Sequence, residues 1–155
     1  MHIIFLIKNF QLSKCGLSDY ISISSEYFAK KKIKSSVFFS NTIKNKKKNY
    51  FFINWSLFKI IKKIQSISEN KIFFFQFSPF LQSKSGFSFK LLLIFFFLKF
   101  FVKKIKIVTN LHETANQFSL NPKYFLMYIL HKMQLYVIYL LSDKIYYTNP
   151  LFLER

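Results

Sequence analysis

At 155 residues the chain is long enough to bury the core of one domain of ordinary size and too short for two full ones. Its formal charge of +18 rests on 24 basic against 6 acidic residues, an excess that ordinarily points to nucleic acid or an anionic membrane surface. Only Arg155 among the basic residues is arginine, the side chain whose planar fork reads bases, and the crowding of Phe, Ile, Lys and Asn is what an AT-rich coding sequence produces by drift. Nucleic acid is therefore not expected as a partner, whereas contact with an acidic membrane surface is retained.

The chain opens with Ile3 to Ile7, apolar on both faces as a central parallel strand requires. No basic lead or small-residue cleavage site accompanies that run, so it reads as a buried strand and not as a signal peptide. After a loop from Lys8 to Gly16, a helix is predicted from about Leu17 to Lys32, with Leu17, Tyr20, Ile21, Ser24 and Phe28 along one face. The lysines at its end suit the negative pole of a helix dipole. Ser36 to Phe39 reads as a second strand, and Asn41 to Asn54 as a solvated connection.

Trp55 to Ile67 sets Leu57, Phe58, Ile61 and Ile64 against Lys59, Lys62 and Lys63. Such a basic amphipathic helix suits either a sheet face or a membrane surface. A third strand, Ile72 to Phe77, stops at Ser78 and Pro79, and the loop from Phe80 to Gly86 leads into a Phe-rich helix within Phe87 to Val102. The uninterrupted apolar run there, Leu91 to Leu98, is well short of the roughly 20 residues that span a bilayer. A fourth strand, Ile105 to Asn110, ends at Leu111, His112 and Glu113. Asn121 as cap and Pro122 at the first position open a helix reaching about Leu141, before a fifth strand from Lys144 to Thr148. Strands alternating with helices predict an α/β fold, a Rossmann-like parallel sheet of about five strands with flanking helices.

Ligands of such sheets gather beyond the carboxyl ends of the strands. Gly16, at the mouth of the first helix, could let a phosphate approach backbone amides, or could simply be a turn glycine; Asp19 suits the dipole of that helix. His112 could contact a sugar hydroxyl or stabilise developing charge, or could serve a loop carbonyl. Glu113 could act as a base, a hydroxyl ligand or a cap. Cys15 is the sole cysteine, so no intrachain disulfide forms, and a cytoplasmic location, with the inner face of the membrane open to it, is expected. The histidines His2, His112 and His131 are scattered, and no metal or other cofactor is expected. Phosphate-loop, nucleophile-elbow and complete dinucleotide motifs do not occur.

Taken together, several segments resemble the amino-terminal domain of family 4 glycosyltransferases of the GT-B fold. They are Ser13 to Tyr20 with its Cys15-Gly16 loop, Phe75 to Phe80 with Gly86 further on, Val108 to Glu113, and Ser142 to Ile145 followed by Thr148, Asn149 and Pro150. The resemblance implies a retaining enzyme that moves a sugar from a nucleotide-sugar donor to a glycan or lipid-linked acceptor. It implies Gly16 and Cys15 near the donor diphosphate and His112 with Glu113 at the transferred sugar. Ser78, Pro79, Gly86 and Asp19 would border the acceptor cleft. It also implies a second, donor-holding domain that these 155 residues do not contain, so the chain is read as a truncated or split half, inactive without a separate carboxyl-terminal domain. The competing reading is a small basic membrane-associated protein with two hydrophobic helices and no catalysis.

Overall fold

The structure is a computed structural model, and it describes residues 1–7, 16–40, 49–53, 56–78, 85–112 and 121–148. Six strands lie in one sheet: β1 (His2–Leu6), β2 (Lys34–Phe39), β3 (Tyr50–Phe52), β4 (Lys71–Phe77), β5 (Ile105–Leu111) and β6 (Lys144–Tyr147). Among them run α1 (Gly16–Lys30), α2 (Leu57–Gln65), α3 (Phe89–Phe101) and α4 (Pro122–Leu141). Every strand pair is parallel and the spatial order is β3-β2-β1-β4-β5-β6. The sequence of connections therefore reverses between β1 and β4, the position at which Rossmann-like sheets open a ligand crevice at their carboxyl edge.

Alternation along the strands divides the core. Ile3, Phe5 and Ile7 of the first strand, with Val37 and Phe39, pack against Leu17 and Ile21 of α1. The opposite face carries Ile4, Phe73, Phe75 and Ile107 against Ile60, Ile61 and Ile64 of α2 and against Leu91, Ile94, Phe95 and Leu98 of α3. Phe95 stands edge-on to Phe73 and Phe75, with ring centroids 5.8 and 5.3 Å away, a geometry that adds to the apolar area the rings bury.

The expected α/β class holds, with six strands where about five were expected. The extra strand is β3, inside the segment read as a solvated connection. Its Tyr50 is 4% exposed and its hydroxyl donates to Ser22 Oγ at 3.2 Å. The buried face of α1 also differs from expectation: Tyr20 is 40% exposed, while Ser18, Ser22 and Ser25 are buried. Small serines let the helix approach the sheet closely where larger groups would hold it off. Phe58, assigned to the packed face of α2, is 79% exposed.

α4 begins as expected, with Asn121 Oδ1 accepting from the Lys123 amide at 3.1 Å and Pro122 following. By length and composition it is apolar enough to cross a membrane, and only 17% of that stretch is buried. Its buried residues include His131 and Gln134. His131 Nε2 meets the Ser85 carbonyl at 3.0 Å. Gln134 donates to the Gly86 carbonyl at 3.2 Å and accepts from the Ser88 amide at 2.6 Å. These bonds lock the start of α3 onto α4.

Candidate functional site

Register selects which side chains meet at the carboxyl edge. Gln76 of β4 pairs with Asn110 of β5, and Asn110 with Tyr146 of β6, so these three point to one face of the sheet. His112 lies two residues beyond Asn110 on the same side, and its amide donates to the Phe77 carbonyl at 3.0 Å. Asn110 Nδ2 donates to Gln76 Oε1 at 2.9 Å, and His112 Nε2 contacts the same oxygen. An amide oxygen only accepts, so in this contact the donor is His112 Nε2.

The first turn of α1 arrives at this cluster. The Tyr20 ring stands edge-on to the His112 ring, centroids 6.2 Å apart, and Gly16 lies one helical turn earlier at the helix mouth. A Cβ added at Gly16 would meet no atom within 4 Å among the described residues. Gly16 and His112 thus lie at the same carboxyl edge of the sheet, linked through Tyr20 of α1. The positive end of a helix attracts anions, and an imidazole at the same edge can exchange a proton with a hydroxyl.

Gln76 is 1% exposed, and its Nε2 has no hydrogen-bond partner among the described residues. A buried donor without an acceptor costs about 1–3 kcal/mol. Such groups concentrate where a bound molecule completes the set. Sequence reasoning passed over Gln76 and Asn110. The signal was an amide side chain one residue before the end of each of two strands, at positions that fall in register.

Of the other expected site residues, Ser78 follows β4 directly and is buried, and Asp19 is half-buried in the first turn of α1. Gly86 adopts φ 76°, the left-handed region that glycine enters freely, and its recorded contact is to Gln134 of α4. That geometry already accounts for a glycine there. Cys15, Pro79 and Glu113 lie outside the described residues. Among the described residues no three His, Cys, Asp or Glu side chains come together as a metal site.

The Ser142-Asp143 segment plays a different part. Burial opposes ionisation of Asp143, yet the hydrogen bond from Lys99, the one from the Ile107 amide and the charges of Lys99 and Lys106 outweigh it and hold the carboxyl below its ordinary 3.8. Lys99 Nζ is 2.6 Å from Oδ1, and the Ile107 amide donates to Oδ2 at 2.8 Å. Asp143 therefore ties α3, β5 and β6 together at the amino edge, far from the crevice.

No protein-family profile and no curated protein sequence matches the chain. Solved structures do. An alpha-glucosyltransferase in complex with UDP and a 13-mer DNA containing an HMU base superposes with a TM-score of 0.62 at 12% identity, over 95% of this chain and 37% of that one. One with UDP and a 13-mer DNA containing a central A:G mismatch gives 0.62 and 12% over 96% and 37%. Another, with UDP-glucose and DNA containing an abasic site, gives 0.60 and 13% over 94% and 35%. The chain thus has a glycosyltransferase-like fold and spans little more than a third of those chains. These neighbours hold DNA, which overturns the expectation that set nucleic acid aside. Arginine scarcity bears on reading bases, whereas backbone phosphates are held as well by lysine.

Proposed function

We propose that the chain is the acceptor-side half of a GT-B glycosyltransferase, passing a sugar from a nucleotide-sugar donor to a hydroxyl of a glycan or lipid-linked acceptor. Its donor-binding half is a separate domain. The observation that carries this reading is the Tyr20–His112 contact, which brings α1 against the Gln76–Asn110–His112 cluster. Amides at Gly16 would face the donor diphosphate. His112 Nδ1 would accept from a sugar hydroxyl, and Gln76 Nε2 would donate to the transferred sugar. The fold neighbours, with UDP, UDP-glucose and DNA, support the donor class and add DNA to the acceptors worth assaying.

Photo-crosslinking with azido-UDP-glucose followed by peptide mapping tests the proposal. Label on the peptides containing Gly16–Tyr20 and Gln76–His112, competed away by UDP, is expected; label confined to other peptides or indifferent to UDP contradicts it.

A second reading has one observation behind it, the exposed apolar length of α4, where Leu126, Met133, Tyr136 and Leu140 are each more than half exposed. On that reading the domain sits at the inner face of a membrane, α4 resting on the bilayer. The hydrogen-bonded, buried His131 and Gln134 favour a helix seated on its sheet over one that spans lipid. Flotation with neutral and anionic vesicles separates the cases, since a bound peripheral domain is released by carbonate.

A further inference from the structure

In an all-parallel sheet the strand starts and the helix ends share one edge, and here that edge is loaded with lysine. Lys30, Lys62, Lys63 and Lys99 stand in the last turns of α1, α2 and α3. Lys34, Lys71 and Lys144 are the first residues of β2, β4 and β6. Two of these charges are neutralised in place, Lys34 by Glu69 and Lys99 by Asp143.

At the middle of the edge Lys71 is joined by Lys103, Lys104 and Lys106. A cavity of about 390 Å³ is lined by Met1, Asn70, Lys71, Lys104 and Lys106, and a second of about 290 Å³, sharing Lys71, adds Lys103. No carboxylate lines either. Lys71 is 5% exposed, and its ammonium donates to the Ile67 carbonyl at 2.7 Å and the Glu69 carbonyl at 3.4 Å. Among the described residues neither it nor Lys103, Lys104 or Lys106 is within ion-pair distance of a carboxylate, and the charge of Lys106 acts on Asp143 from further off. The Lys71 ammonium is met by its two carbonyls, so the charges open to an outside anion are those of exposed Lys103, Lys104 and Lys106. Lys104, held at φ 57° with its carbonyl accepting from the Lys71 amide at 2.8 Å, fixes the corner.

We propose that this amino edge is a binding surface for the phosphate backbone of nucleic acid, independent of base sequence and of the sugar-transfer reading. It lies at the other end of the strands, some 20 Å from the Gln76–His112 cluster for a seven-residue strand. Lys103, Lys104 and Lys106 lie within four residues at the turn into β5 and all three are exposed, so their charges are clustered. Clustered ammonium groups complement by charge a nucleic-acid backbone, which carries about one phosphate per 3.4 Å on each strand. A bilayer calls for apolar and basic groups on one surface; Phe101 lines the second cavity beside Lys103, so anionic vesicles are the competing target in the test.

The test is fluorescence anisotropy of the full chain with a labelled duplex of arbitrary sequence, from 50 to 200 mM salt as about the range in which phosphate contacts show. Lys104→Glu combined with Lys106→Glu should weaken binding at least about tenfold and flatten the salt slope by about two. Lys90→Glu combined with Lys123→Glu, the same charge change at the far edge, should weaken it less than about threefold. Both pairs are exposed, and circular dichroism confirms folding. Equal losses from the two pairs would reduce the effect to net charge and overturn the proposal. So would an amino-edge pair that abolishes binding to anionic vesicles while leaving duplex affinity intact.

Discussion

His112 and Gln76 share an oxygen, and that arrangement separates two possible roles for the histidine. If its Nδ1 takes part in transfer, His112→Ala in the enzyme assembled with its donor-binding half should lower turnover by about 10²–10⁴. A structural histidine would show comparable losses in turnover and stability, which steady-state kinetics beside thermal melts would reveal. At the opposite edge, burial lowers the pKa of His2 below its ordinary 6.5, against the pull of Glu69 and assisted by Lys34, the amino terminus and Lys71. The Asp143 carboxyl is likewise held low. In both cases the unfolded chain binds protons more readily than the native one, so stability falls with acid. The His2 contribution is intact above about pH 6.5 and declines below it; the Asp143 contribution is intact above about pH 4. A melting temperature that drops between pH 7 and 5, with His2→Gln flattening that limb, is the expected result. Asp143→Asn should cost about 1–2 kcal/mol at pH 7 in urea unfolding, because it weakens the bonds from Lys99 and the Ile107 amide.

At the scale of elements, α4 is anchored by polar side chains inside an apolar interface. Gln134→Leu strands the Ser88 amide and the Gly86 carbonyl, and should destabilise by about 2 kcal/mol while leaving helix content unchanged by circular dichroism. Phe95→Ala should cost more, about 3–5 kcal/mol, since its ring fills the space between Phe73 and Phe75. The sequence shows most of these elements because apolar runs of strand length recur between helical spacings. β3 escapes because Tyr50–Phe52 is only three residues long and follows the Lys46–Asn49 run, which reads as solvated. The serine face of α1 escapes for a different reason: periodicity tracks hydrophobicity, and close packing there depends on smallness. Gly16 and His112 are legible as punctuation at element ends. Gln76 and Asn110 sit inside strands and become a pair only through a register that no single segment specifies.

The whole molecule separates its chemistry along the strand direction. Polar and aromatic groups meet at the carboxyl edge, where the order of strands reverses, and uncompensated charge collects at the amino edge. The sign of the net charge points to a phosphate-bearing partner, scarcity of arginine argues against one, and the DNA held by the fold neighbours overturns that objection. Fold likeness to glucosyltransferases covers about a third of those chains, so the crevice described here is one wall of the proposed site. The account stands or falls on whether that wall meets a nucleotide-sugar. Amide-detected NMR of the full chain, titrated with UDP-glucose, reads this directly: shifts at Gly16, Tyr20, Gln76, Asn110 and His112 that saturate together are expected. Saturable shifts confined to the amino edge around Lys71 and Lys104, or none at the carboxyl edge, would contradict it.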